Sequence, residues 1–156
     1  MTSVSALQAT YSSGFSTEDV KWNHLLGGDG FDYPIDYWIA ILGAQPATGR
    51  IDFLGKWEPN SYCHYHRHLG ETTTIVLEGE HHLVEKTATQ TIHKTRTRGH
   101  IGQSPYGETH MEYAGENGSV LLFSMQCRDK YVFEVLDQDD KAIKALTFEE
   151  FVSGNY

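Results

Sequence analysis

From Tyr37 onward the chain is a ladder of short strand-like segments separated by turn residues, and this limits the fold more than any other feature. YWIAILGA (37–44) is a nearly continuous apolar run, the pattern of a buried strand. Gln45-Pro46-Ala47-Thr48-Gly49 interrupts it as a turn. Arg50 to Trp57 alternates in part, and Glu58-Pro59-Asn60 breaks the chain again. Further strand-like runs follow at 61–68, Thr72–Leu77, Glu80–Glu85, 120–127 and 131–137, the first pair meeting at a loop and the next bending at Gly79. Residues 86–98 are Thr-rich and basic, a polar hairpin or excursion. Breaks at intervals of about 8–12 residues suit an antiparallel β-sandwich or barrel. Helix is expected only as short turns near the termini, one from Ser16 and one capped by Thr147. The expected organisation is an N-terminal arm, 1–30, and a single all-β domain, 31–156, with Leu7 and Tyr11 of the arm docking on a neighbour.

Charge and cysteine content narrow the function classes. The formal net charge of −9 argues against nucleic acid and against anionic membrane surfaces, both of which need clustered Lys and Arg. Cys63 and Cys127 do not make a disulfide framework, and no zinc-ribbon spacing occurs. The N-terminus lacks the basic and apolar regions of a signal peptide, and no apolar run approaches the ~20 residues that span a bilayer. A reduced, cytoplasmic protein is the expectation.

The chemistry is concentrated in SYCHYHRHLGETTTIVLEGE (61–80). His64, His66 and His68 occupy alternate positions, so in a regular strand their side chains share one face. Imidazoles in a row suit iron, zinc, copper or nickel. Neighbours two residues apart lie roughly 6.6–6.8 Å apart along a strand, and metal–nitrogen bonds are about 2.0–2.1 Å for zinc. An adjacent pair can therefore chelate one ion, whereas His64 and His68 cannot easily share it. The pair is His64 with His66, or His66 with His68. On the same strand Tyr62 shares the histidine face and Cys63 points away. His24, His93 and His100 stand alone and read as structural or surface residues.

A second stretch, GHIGQSPYGETH (99–110), completes a pattern that resembles the cupin superfamily of small jelly-roll β-barrels. That family's second motif, G-x5-P-x-G-x2-H, is matched by Gly99, Pro105, Gly107 and His110, while Ala114 stands at its usual asparagine. The first motif, H-x-H-x3-4-E-x6-G, fits two registers. From His64 and His66, Glu71 has the spacing of the glutamate but Gly79 arrives one residue late. From His66 and His68, Gly79 is in place and Thr72 or Thr73 replaces the glutamate. The second register is similar to cupin dioxygenases that cleave 2,4'-dihydroxyacetophenone and, more loosely, to acetylacetone-cleaving enzymes, over about residues 57–127.

The resemblance implies a metal site of His66, His68 and His110, with Glu85 as a further carboxylate ligand, and a dimer. Iron(II) is the expected ion, with zinc and nickel as alternatives. The implied activity is oxygen-dependent cleavage of a carbon–carbon bond in a small diketone or hydroxyketone bound as its enolate. The alternatives are a non-enzymatic metal-bound sensor of the anti-sigma-factor type and a non-redox isomerase or lyase. His64 and Glu71 are candidates to support the ligands or replace one of them. Tyr62, Tyr113, Phe123 and Met125 are candidates to contact substrate, on strands that also carry Trp57, Tyr65, Tyr131 and Phe133.

Overall fold

The computed structural model describes residues 15–31 and 33–156. In chain order its strands are β1 (Asn23–Leu26), β2 (Asp36–Gln45), β3 (Arg50–Trp57), β4 (His66–His68), β5 (Gly70–Lys86), β6 (Thr91–Thr97), β7 (Ile101–Ser104), β8 (Thr109–Cys127), β9 (Tyr131–Leu136) and β10 (Ala142–Thr147), followed by one helix, α1 (Phe148–Ser153). They form a curled antiparallel sheet in the order β1-β2-β3-β8-β4-β9-β10, with β5 pairing β6, β7 and β8. The long strands β5 and β8 run beside one another from Gly70↔Cys127 to Glu85↔His110 and form its spine.

The apolar run of β2 is explained by burial on both faces. Tyr37 and Ile39 join the interior with Phe53, Trp57 and Phe123, while Trp38 and Ala40 pack outside against Trp22 and Leu54. Each large apolar side chain so buried contributes roughly 1.5–3 kcal/mol. The bend expected at Gly79 lies within one continuous strand. Gly79 has φ of 79° and faces Gly118, with φ of 74°. A Cβ on Gly79 would lie 2.0 Å from the Gly118 carbonyl oxygen, so no side chain fits. Register shifts on either side of this point curl β5 around the interior.

Two expectations change in detail. The strand expected over 61–68 is regular only at 66–68, where β4 lies between β8 and β9. Residues 61–65 are extended but irregular, tied by Cys63 N–H to Glu112 O at 3.0 Å and Leu136 N–H to Tyr65 O at 2.8 Å. The helical turn expected after Ser16 is a plain turn, and the following residues pair with β2 as β1 instead. Pairing with an existing sheet edge avoids the cost of nucleating a short helix. The Thr-rich stretch forms the hairpin expected of it, with β6 folding back on β5. The placement of Leu7 and Tyr11 lies outside the described residues. At the other end Thr147 caps α1 through a capping box with Glu150, and Gly154 closes it at φ of 79°. This turn seats Phe151 against Phe53 and Phe133 on the interior wall. Among the described residues no helix is long and apolar enough to cross a membrane.

Candidate metal centre

β4 and β8 meet at His66↔His110, which brings both histidine-bearing stretches to one point inside the sheet. Alternation then adds His68 on β4 and Glu112 on β8. The Nε2 atoms of His66 and His68 are 3.2 Å apart, and those of His68 and His110 are 2.9 Å apart. Glu112 Oε2 lies 3.7 Å from His66 Nε2 and 3.6 Å from His110 Nε2. The four donor atoms all lie within 4.8 Å of one another.

The partners of the other ring nitrogens settle the direction of the lone pairs. His66 Nδ1 is 2.7 Å from the His64 carbonyl, which can only accept. His110 Nδ1 is 2.9 Å from Glu108 Oε1, which also takes the Ser104 hydroxyl proton. His68 Nδ1 is 2.8 Å from Thr72 Oγ1, and that hydroxyl donates its proton to the Gly70 carbonyl. Each Nδ1 is therefore a donor, and each Nε2 lone pair faces the common centre. Three converging lone pairs beside a carboxylate repel unless a cation lies among them. This donor set fits a divalent metal ion.

Burial lowers the pKa of His66 to about 4, helped by the charge of His110, so its imidazole is neutral and ready to ligate. Burial likewise holds His68 well below its ordinary value. For His110 burial acts downward, but the Glu112 charge and the Glu108 hydrogen bond outweigh it and raise the pKa to about 9. Burial pushes Glu112 up, and the His110 charge with the His110 and His81 hydrogen bonds brings it well below the usual carboxylate range. A proton on His110 thus fills the place a metal would take.

The structure gathers His66, His68 and His110, and the carboxylate that joins them is Glu112. Glu85 lies across from His110 in register, but its carboxylate is ion-paired with Lys94 of β6. Glu71 is on the surface, paired with Arg128. Tyr62 and Tyr113 stack on each other at 4.7 Å and do not line the cavity beside the histidines. Met125 is packed in the core without reaching that cavity. Phe123, Phe133 and Trp57 do line it, as does His64, whose Nδ1 is 2.9 Å from the Tyr37 hydroxyl. Tyr65 turns away to bond Asp140.

Cys63 also departs from expectation. In the irregular 61–65 segment its thiol turns inward, 3.7 Å from His66 Nδ1, and burial raises its pKa well above the ordinary thiol value. His81 carries no motif signal, yet it supports the site. Fully buried, it bridges Glu112 Oε1 at 3.1 Å and Ser119 Oγ at 2.9 Å, holding the carboxylate so that Oε2 faces the imidazoles. The H-x-E spacing of His110 and Glu112 within a strand is the signal that points to Glu112 from sequence.

The cavity beside the cluster is narrow, about 60 Å³, and its wall is chiefly Phe53, Phe123, Phe133 and Phe151. No family model matches the sequence, and no curated protein matches it. Solved structures do match the fold. A cupin 2 conserved barrel domain protein from Rhodopseudomonas palustris superposes with a TM-score of 0.64 at 17% identity, covering 86% of this chain and 88% of that one. An acetylacetone dioxygenase from Acinetobacter johnsonii gives 0.65 at 15% identity, covering 84% and 83%. A variant of oxalate decarboxylase from B. subtilis gives 0.58 at 12% identity, covering 72% of this chain and 32% of that one. The chain has a cupin fold, and that fold encloses a buried three-histidine, one-glutamate metal-binding group.

Proposed function

We propose that the protein is a metal-dependent enzyme, an iron(II) dioxygenase that cleaves a carbon–carbon bond of a small diketone or hydroxyketone. The observation that carries this reading is the convergence of three imidazole nitrogens and one carboxylate oxygen at the edge of a narrow aromatic cavity. His66, His68, His110 and Glu112 would hold the ion. When bound, iron(II) supplies the oxygen chemistry that no side chain can perform.

The chain's own groups account for binding and orientation. Three neutral imidazoles and one carboxylate leave a divalent ion with one net positive charge, which favours an enolate over the neutral ketone. Buried Tyr37 keeps its proton and donates it to His64 Nδ1, so neutral His64 has an Nε2–H free to hold a substrate oxygen. The phenylalanines exclude water from the enolate. A cavity of about 60 Å³ is small beside the roughly 300–1,000 Å³ of pockets that take drug-sized ligands. That favours a compact substrate, as does the likeness to an acetylacetone dioxygenase. Action as a homodimer on a free small molecule belongs to the same reading.

Glu112 also favours a second reading. A carboxylate in the ligand set suits zinc as well, and a non-redox isomerase or lyase then follows. An oxygen electrode separates the two. Protein loaded with iron(II) should consume oxygen in step with loss of a small β-diketone, and His110→Ala should abolish this. Equal turnover under argon would reject the dioxygenase and leave the non-redox enzyme.

A further inference from the structure

A second set of converging imidazoles lies on the opposite face of the β5–β6–β8 sheet. His82 of β5 is adjacent in sequence to inward-facing His81, so it points outward. In register it sits between Thr95 of β6 and Tyr113 of β8, and His93 is paired with Val84, two residues farther along β5. His82 Nδ1 and His93 Nε2 are 3.2 Å apart. His82 stacks flat on Tyr113 with ring centroids 4.5 Å apart, which fixes its plane.

The surrounding groups assign the lone pair. His82 Nε2 is 2.7 Å from Glu80 Oε1, and a carboxylate can only accept, so that nitrogen carries the proton. The other ring nitrogen, Nδ1, therefore turns its lone pair toward His93 Nε2 and the Thr95 hydroxyl, 3.3 Å away. This is a carboxylate–histidine arrangement of the kind that orients metal ligands. The Tyr113 hydroxyl is 2.9 Å from His93 Nε2, a third oxygen or nitrogen atom at the same point. Two nitrogens each about 2.0–2.1 Å from one ion lie roughly 2.9–3.4 Å apart at cis-octahedral or tetrahedral angles. The 3.2 Å spacing here falls in that range and equals the His66–His68 spacing in the interior. The adjoining surface hollow is lined by Glu80 and Glu116, which favours cations.

We propose that His82 Nδ1 and His93 Nε2 form a second metal site on the outer face, with Glu80 orienting His82 and the Tyr113 hydroxyl beside the positions left to solvent. The site takes a borderline divalent ion such as zinc, nickel or copper(II), for which imidazole is a suitable ligand. It needs no part of the interior cluster and stands apart from the proposed activity.

The test counts zinc. Metal-free protein is dialysed against excess zinc, and bound metal per chain is measured by mass spectrometry. The doubly substituted His82→Gln/His93→Gln protein should bind one ion fewer than the unsubstituted chain, and its circular dichroism should be unchanged because His93 is exposed and the partly buried His82 lies outside the core. In the complementary His66→Ala/His110→Ala protein, copper(II) should give an electron paramagnetic resonance signal with coupling to two nitrogens. That signal should vanish when His93→Gln is added. An equal zinc count with and without His82 and His93 would overturn the site. So would a copper signal indifferent to His93.

Discussion

Two sets of histidines lie on opposite faces of the sheet, one on β4 and β8 and the other on β5 and β6, and they differ in what surrounds them. Inside, every Nδ1 has a fixed acceptor, and the opposing carboxylate of Glu112 is itself held by His81. Outside, Glu80 orients His82 alone, and His93 is exposed to solvent. The nitrogen spacing is the same in both places. Ligand geometry alone is therefore easily arranged in a β-sheet. What distinguishes the interior group is a complete outer layer of hydrogen bonds in a buried setting, the surroundings that orient imidazoles for a metal.

The largest difference should appear on removing one imidazole from each set. His110→Ala leaves Glu112 buried without its cationic neighbour, and loss of one partner from a buried pair costs about 3–5 kcal/mol. His93→Ala on the surface should stay within about 0.5 kcal/mol. Urea denaturation of both metal-free variants checks this, and equal costs would erase the contrast.

A second test uses pH, again on metal-free protein. His66 is lowered from 6.5 to about 4, so the folded state resists a proton that the unfolded chain accepts. Stability from this group is full above about 6.5 and is lost as pH falls toward 4. His110 is raised from 6.5 to about 9, so its contribution is full below 6.5 and is lost as pH rises through 9. Stability should peak near pH 6.5 and fall on both sides. Each group should contribute about 1.4 kcal/mol for every pH unit that separates its folded pKa from its unfolded one. Melting curves across this range check it, and His66→Ala should flatten the acid limb.

A smaller effect should follow from Thr72→Val, which removes the acceptor of His68 Nδ1–H while leaving the ligands in place. A loss of about 10–100-fold in interior metal affinity is expected from such a supporting contact, read by competition with a chelator, with the outer site unaffected. Smallest of all is Glu71→Gln at the exposed ion pair with Arg128, which should change neither metal content nor melting temperature.

Much of this is legible in the residue pattern, and the parts that are not have physical causes. The strands β2, β3 and β9 and the 120–127 half of β8 follow from apolar runs and turn residues, and the trio His66, His68 and His110 from the motif spacing of the resemblance. Reading alternation back from His66 through 61–65 fails because that segment leaves the regular strand. Tyr62 consequently stacks on Tyr113 outside, while the Cys63 thiol turns in. Glu85 stands apart from the four clustered donors for a different reason. It lies opposite His110, but Lys94 of β6 pairs with its carboxylate, a long-range partner that spacing along one strand cannot show. Glu112 is within reach of the sequence, since alternation places it beside His110 and places Tyr113 on the far side. Thr72 stands where the family's first motif carries a glutamate, and here it anchors a ligand from behind.

The back-to-back arrangement has an evolutionary consequence. His81 and His82 on β5, and Glu112 and Tyr113 on β8, are consecutive residues serving opposite faces. A single residue deleted from β5 ahead of His81 would turn His81 out and His82 in, and one deleted from β8 ahead of Glu112 would turn Glu112 out and Tyr113 in. Such a lineage would trade its buried carboxylate for a phenol in one step. Substitutions can drift through these strands, whereas their lengths cannot, and tolerated insertions should gather in the exposed 87–90 connection.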